Sequence, residues 1–134
     1  MLPLLTWADD FRSARRETTP RPYNSPGEVE RKFSALRRHC EEAGRPYEEV
    51  VRTINYWALL ASDEGEKAEK RRRFPERRRF PAAFSIDTPE EAVAALQAYE
   101  RAGTQYVIVK ILGAADLTPV RLFARKVMPA FEGR

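Results

Sequence analysis

One pattern is written twice in this chain, and it limits the fold more than any other feature. At 25–28 the residues Ser-Pro-Gly-Glu open an amphipathic stretch that ends in Ala43-Gly44 and is followed by the apolar run RTINYWALLA (52–61). At 88–91 the residues Thr-Pro-Glu-Glu open a second such stretch, ending in Ala102-Gly103 and followed by QYVIVKIL (105–112). Each unit reads as helix then strand. Successive strands separated by helices run parallel, because a parallel neighbour needs a crossover long enough to return the chain to the same end of the sheet. The repeat therefore implies an α/β architecture.

The helix starts are specified chemically. Ser25 and Thr88 supply the capping hydroxyls, Pro26 and Pro89 sit where a missing N–H costs nothing, and Glu28 and Glu91 complete capping boxes. In the first helix, expected over 26–43, Val29, Phe33, Leu36, Cys40 and Ala43 recur every three to four residues as one apolar stripe. In the second, Ala92, Val93, Ala95, Leu96, Tyr99 and Ala102 make a broader face. Gly44 and Gly103 provide left-handed stops. The run 52–61 is rich in β-branched and aromatic residues, and 105–112 is continuously apolar, which suits a parallel strand covered on both faces. The segment DLTPVRLFARKVMPAF (116–131) reads as a last helix. Leu117, Val120, Phe123, Ala124, Val127 and Phe131 line one side, and Leu122 points elsewhere, toward a second partner surface. Between the units, Ser62 is positioned to cap a short helix over DEGEKAEKRR, which Gly65 weakens.

The domain organisation that follows is an irregular segment at 1–24, with a possible short strand, and one α/β unit at 25–134 carrying a basic connector at 62–87. That connector contains RRRFPERRRFP (71–81), a five-residue unit used twice. Residues 70–79 carry a net +6, whereas the whole chain carries +4, so the remainder is slightly acidic. A dedicated nucleic-acid-binding domain spreads its cationic charge along a face. The tract reads instead as a solvated connector, although Phe74 and Phe80 are of the type that stacks on bases. No stretch approaches the ~20 apolar residues of a membrane helix. The start, MLPLLTWADDF, lacks a basic leader, and with Cys40 as the single cysteine a reducing cytoplasm is the expected compartment.

Candidate chemistry is sparse. His39 and Cys40 are adjacent, so on a helix they diverge by about 100° and do not share a small site; Cys40 is expected to be a core residue, and one Cys with one His gives no zinc spacing. The six glycines (27, 44, 65, 103, 113, 133) are scattered, which excludes the clustered phosphate cradles of P-loops and dinucleotide fingerprints. Of the acidic pairs Asp9-Asp10, Glu41-Glu42, Glu48-Glu49 and Glu90-Glu91, the last is explained by its helix N-terminus. Tyr56, Trp57 and Tyr106 lie on strands, where core packing is the expected role.

Taken together, KFSALRRHCEEAGRPYEEVVRT, DTPEEAVAALQAYERAGTQYVIVKI and AADLTPVRLFARKVMPAF resemble the C-terminal part of the luciferase-like monooxygenase family, in the branch that uses flavin mononucleotide (FMN) or the deazaflavin coenzyme F-420. The resemblance runs from residue 25 onward. WADDF (7–11) is similar to that family's segment at the end of a late barrel strand. The resemblance implies a partial (β/α)8 TIM barrel and a flavin- or F-420-dependent oxidoreductase or monooxygenase. It also implies that residues 62–87 are the tail of a variable insert. Such a barrel takes about 250 residues and builds its site from the carboxyl ends of many strands. Only the ends near Phe11-Arg12, Leu60 and Lys110-Leu112 are present here. Phe11 and Arg12 are the candidate cofactor contacts, with Arg12 standing where the family has Asn; no catalytic residue or metal ligand carries over. The chain is thus expected to be non-catalytic alone and to pair with the rest of a barrel or with a copy of itself. A stand-alone α/β interaction module that dimerises through its apolar helix faces is the alternative. Nucleic-acid binding through 70–80 comes third.

Overall fold

The computed structural model describes residues 25–73, 85–111 and 117–133. They form helix α1 (Pro26–Glu42), a 3-10 turn (Tyr47–Glu49), strand β1 (Thr53–Leu60), helix α2 (Glu64–Arg73), strand β2 (Ser85–Asp87), helix α3 (Pro89–Arg101), strand β3 (Tyr106–Ile111), helix α4 (Thr118–Lys126) and a 3-10 turn (Met128–Phe131). The strands make one parallel sheet in the order β2-β1-β3. The α/β class and the parallel pairing are as the repeat implies. Closure into a barrel is not a property of these three strands.

Both capping boxes are formed. The Ser25 hydroxyl accepts from the Glu28 amide while Glu28 accepts from the Ser25 amide, and Thr88 and Glu91 repeat the exchange. Each box satisfies amides that the first helical turn leaves without partners. Gly44 and Gly103 follow α1 and α3 with φ of 65° and 99°, a region that costs any residue with a Cβ. The short connector α2 starts differently from expectation. Asp63, not Ser62, caps it, its Oδ1 accepting from the Glu66 amide at 2.8 Å; Ser62 lies one residue earlier and donates through both its amide and its hydroxyl to Glu66 Oε2, each at 2.6 Å.

Strand β1 is the centre of the sheet. It pairs along Thr53–Ala58 with Tyr106–Ile111 of β3, and along Ala58–Leu60 with Ser85–Asp87 of β2. The sequence reading omits β2, because three residues carry no usable alternation. Tyr56, Ala58 and Leu60 point to the covered face, where they meet Ala92 and Leu96 of α3 and Phe123 and Val127. Burial of each large side chain in this layer contributes about 1.5–3 kcal/mol. Val29 and Cys40 of α1 are buried as the stripe predicts, but Ala43 is an exposed cap.

At the amino end of the sheet, Arg52 ties two turns together. Its Nε donates to the Gly103 carbonyl at 3.0 Å, and its Nη1 reaches the Val50 and Tyr47 carbonyls at 3.3 and 3.4 Å. The Arg52 and Arg37 guanidiniums each lie over the Tyr47 ring, 4.4 and 4.7 Å from its centroid. These cation–π contacts and carbonyl bonds anchor the turn before β1 to the turn before β3.

Three expectations are corrected. Strand β3 is not covered on both faces: Val107, Val109 and Ile111 pack on the core, whereas Tyr106 is 61% and Ile108 46% exposed. Tyr106 is therefore not a core residue. The last helix is shorter than 116–131, since α4 ends at Lys126 and a 3-10 turn containing Pro129 follows; proline has no N–H for a helix interior. Its apolar side is also rotated. Leu122 packs against the main core with Phe123, Val127 and Phe131, while Leu117, Val120 and Met128 are exposed, as is Ala124.

Candidate functional site

In α/β sheets ligands gather outside the carboxyl ends of the strands. Here that end is formed by Leu60-Ala61-Ser62 at the end of β1, Asp87-Thr88 at the end of β2 and Ile111 at the end of β3. Two kinds of group are built into it.

The first is a chain of charged side chains. Lys67 of α2 is the only buried residue of its helix. Its ammonium donates to both oxygens of the Glu91 carboxylate and lies 3.6 Å from Glu64. Glu91 in turn accepts from the Thr88 amide at 2.9 Å, so one carboxylate caps α3 and binds α2. One turn along α2, Lys70 donates to the Leu60 carbonyl and sits 2.7 Å from Glu66. The pairing follows from helical spacing, since Glu66 and Lys70 are four residues apart and share a face. Glu66 is lowered to about 2, chiefly by the Lys70 hydrogen bond and then by those from Ser62. Glu91 is lowered, first by Lys67 and then by the Thr88 amide, and Lys67 is raised by Glu91. Both carboxylates are thus held ionised at neutral pH, which suits them to binding a cation and not to donating a proton.

The second is the pair Tyr56 and Asp87. The phenol donates to Asp87 Oδ2 at 2.6 Å, linking β1 to the end of β2 on the covered face. Tyr99 of α3 stands edge-on to Tyr56, centroids 6.4 Å apart. Burial raises the Tyr99 hydroxyl, with the Asp87 charge adding to the effect. This keeps the phenol neutral against the carboxylate.

The opposite face of the β1–β3 pair is open toward its amino end. Register places Thr53, Asn55 and Trp57 of β1 beside Tyr106, Ile108 and Lys110 of β3. Trp57 is partly covered by the Lys110 ammonium, 4.6 Å from its ring centroid. Nearer the carboxyl end the same face is closed by Leu59, Ala61 and Ile86, all buried.

The residues singled out from sequence are dispersed. Phe11, Arg12, Asp9, Asp10, Phe74, Phe80 and Leu112 lie outside the described residues. Cys40 is buried and His39 exposed on α1, its Nδ1 3.2 Å from Glu42. Arg71, Arg72 and Arg73 are exposed at the end of α2. Leu60 and Lys110 do reach the carboxyl half of the sheet. The Lys67–Glu91 pair was not anticipated: its members are 24 residues apart, and Glu91 already had a local explanation in its capping box. Among the described residues no helix is long and apolar enough to cross a membrane. No family model, curated protein or solved structure matches the chain in comparisons with known proteins.

Proposed function

We propose that this chain is the C-terminal βα portion of a luciferase-like, flavin- or F-420-dependent oxidoreductase, and that it does not catalyse as an isolated chain. The observation that supports this reading is the sidedness of the β1–β3 pair. These parallel strands carry helices on one face and leave Thr53, Asn55, Trp57, Tyr106, Ile108 and Lys110 on the other. A wall segment of a (β/α)8 barrel has this sidedness, with helices outside and the second face turned to the barrel interior. In a barrel, consecutive strands are neighbours; on this reading β1 and β3 are the consecutive strands. The three-residue β2, paired only with the last residues of β1, belongs to the insert. The FMN or F-420 ring would supply the redox chemistry, and this chain would supply part of the wall that positions it. The expected partner is the rest of the barrel, about 115 residues by the fold's usual size.

Titration with FMN and with F-420 tests the proposal. The isolated chain is expected to show neither stoichiometric binding nor turnover, and tight binding with turnover would refute it. Sequencing about 600 nucleotides upstream of the Met1 codon, enough for that missing portion, is expected to reveal strand–helix repeats and a glycine-rich loop, in frame or one frameshift away.

A stand-alone interaction module is the second reading, favoured by the exposed Leu117, Val120 and Met128 of the α4 region. Leu122, which packs inward, plays no part in it. A strictly monomeric, well-folded chain in sedimentation would count against that reading.

A further inference from the structure

A helix that crosses between two parallel strands ordinarily packs an apolar stripe on the sheet. Helix α2 does not. Its sequence, EGEKAEKRRR, contains one apolar side chain other than glycine, Ala68, and that residue is exposed. The one buried residue is Lys67, at 5% exposure. Ten residues are also too few for a helix to persist alone in water. What holds α2 in place is a set of polar contacts to two other elements: Lys67 to Glu91 of α3, Lys70 to the Leu60 carbonyl at the end of β1, and the Ser62 and Asp63 bonds that start it. Those contacts lay the helix across the carboxyl ends of β1 and β2, where α/β sheets admit ligands.

We infer that α2 is an ion-latched cover over the carboxyl end of the sheet, fastened by Lys67 and Lys70 and able to undock as a unit while the three-stranded sheet stays folded. The inference does not depend on the flavin reading, because it concerns contacts within this chain. Undocking frees the Leu60 carbonyl and the Glu91 carboxylate, both otherwise occupied by lysines. The sheet loses little apolar packing from α2, whose one apolar side chain is exposed and whose contribution is the stem of Lys67. A cooperative unit with few apolar contacts and exposed backbone hydrogen bonds belongs at the low end of local stability.

Hydrogen exchange on the full chain, read peptide by peptide, tests this. In the variants Lys67→Met and Lys67→Met/Lys70→Met, methionine keeps most of the side-chain volume and removes the ammonium. Exchange across 64–73 is expected to accelerate at least tenfold, with 54–60 and 106–111 unchanged. Should the variants fail to fold, the single variant Lys70→Met, which leaves the buried Lys67–Glu91 pair in place, is read in the same way. Faster exchange confined to 64–73 supports the latch. Two results overturn it: unchanged protection of α2 once its lysines are neutralised, or loss of protection in the strands together with α2.

Discussion

Two truncations of equal size separate the covered face of the sheet from the open one. Leu60→Ala and Ile108→Ala each remove three carbons. Leu60 is 1% exposed and sits in the layer beneath α3 and α4. Losing three buried carbons costs about 0.8 kcal/mol apiece, and the cavity adds to this, so the expected destabilisation is about 3 kcal/mol. Ile108 is 46% exposed on the face that carries Trp57 and Lys110. About half of its transfer free energy is at stake and the site can collapse into solvent. The expected cost is therefore about 1 kcal/mol, including the lower strand preference of alanine. Urea unfolding followed by far-ultraviolet circular dichroism, at low micromolar concentration, gives both values if the slopes match that of the native chain. A difference below about 1 kcal/mol would refute the argument, because it would mean that Ile108 is covered in solution. The same experiment has a second use. On the barrel reading proposed above, supplying the remainder of a barrel should raise the cost at Ile108 toward that at Leu60.

Gly103→Ala forces a Cβ into a residue with φ of 99° and places it 3.5 Å from the Phe33 ring; a loss of about 1–2 kcal/mol in the same assay is expected, the space being adequate and the backbone strain the cause. Tyr56→Phe deletes the 2.6 Å bond to Asp87 and should cost about 1.5 kcal/mol, a charged acceptor making the bond stronger than average. The acid limb of stability should follow Glu66 and Glu91. Their folded values lie below the ordinary carboxylate value of 4.5, so the stability they contribute is present above that pH and is lost as pH falls toward about 2 for Glu66. Glu66→Gln is expected to flatten the dependence of the urea midpoint between pH 4.5 and about 2, and an unchanged slope would exclude Glu66 as a contributor. Lys67, raised, acts at the other limb: its contribution holds below 10.5 and fades as pH climbs above that value.

Most of the helix and strand boundaries were legible because the signals behind them are local. A capping box uses four consecutive residues, and a left-handed glycine stop uses one. Pro26–Glu42 and Pro89–Arg101 accordingly fall where Ser25, Thr88, Gly44 and Gly103 put them. The strands Thr53–Leu60 and Tyr106–Ile111 lie within one residue of the apolar runs that announce them. The faces were harder. Val107 and Ile108 are equally apolar neighbours, and only the helices packed on one side make the first a core residue and leave the second at the surface. A single stripe through Leu117 and Val120 turns Leu122 toward a second surface, whereas it packs on the main core. The helix turns its other side to Tyr56 and Leu96, and periodicity alone does not choose between two overlapping apolar sides.

The candidate site divides the same way. That the glycines are scattered and that the basic character is confined to one connector can be read directly from the residues. The fastening of that connector was invisible, since Lys67 and Glu91 meet only after β2 has been laid beside β1. Local chemistry, confined to a few residues along the chain, settles where elements start, stop and run parallel. Which face is covered, and which lysine loses its water to a carboxylate 24 residues away, depends on packing between elements, and the order of residues does not encode that pairwise.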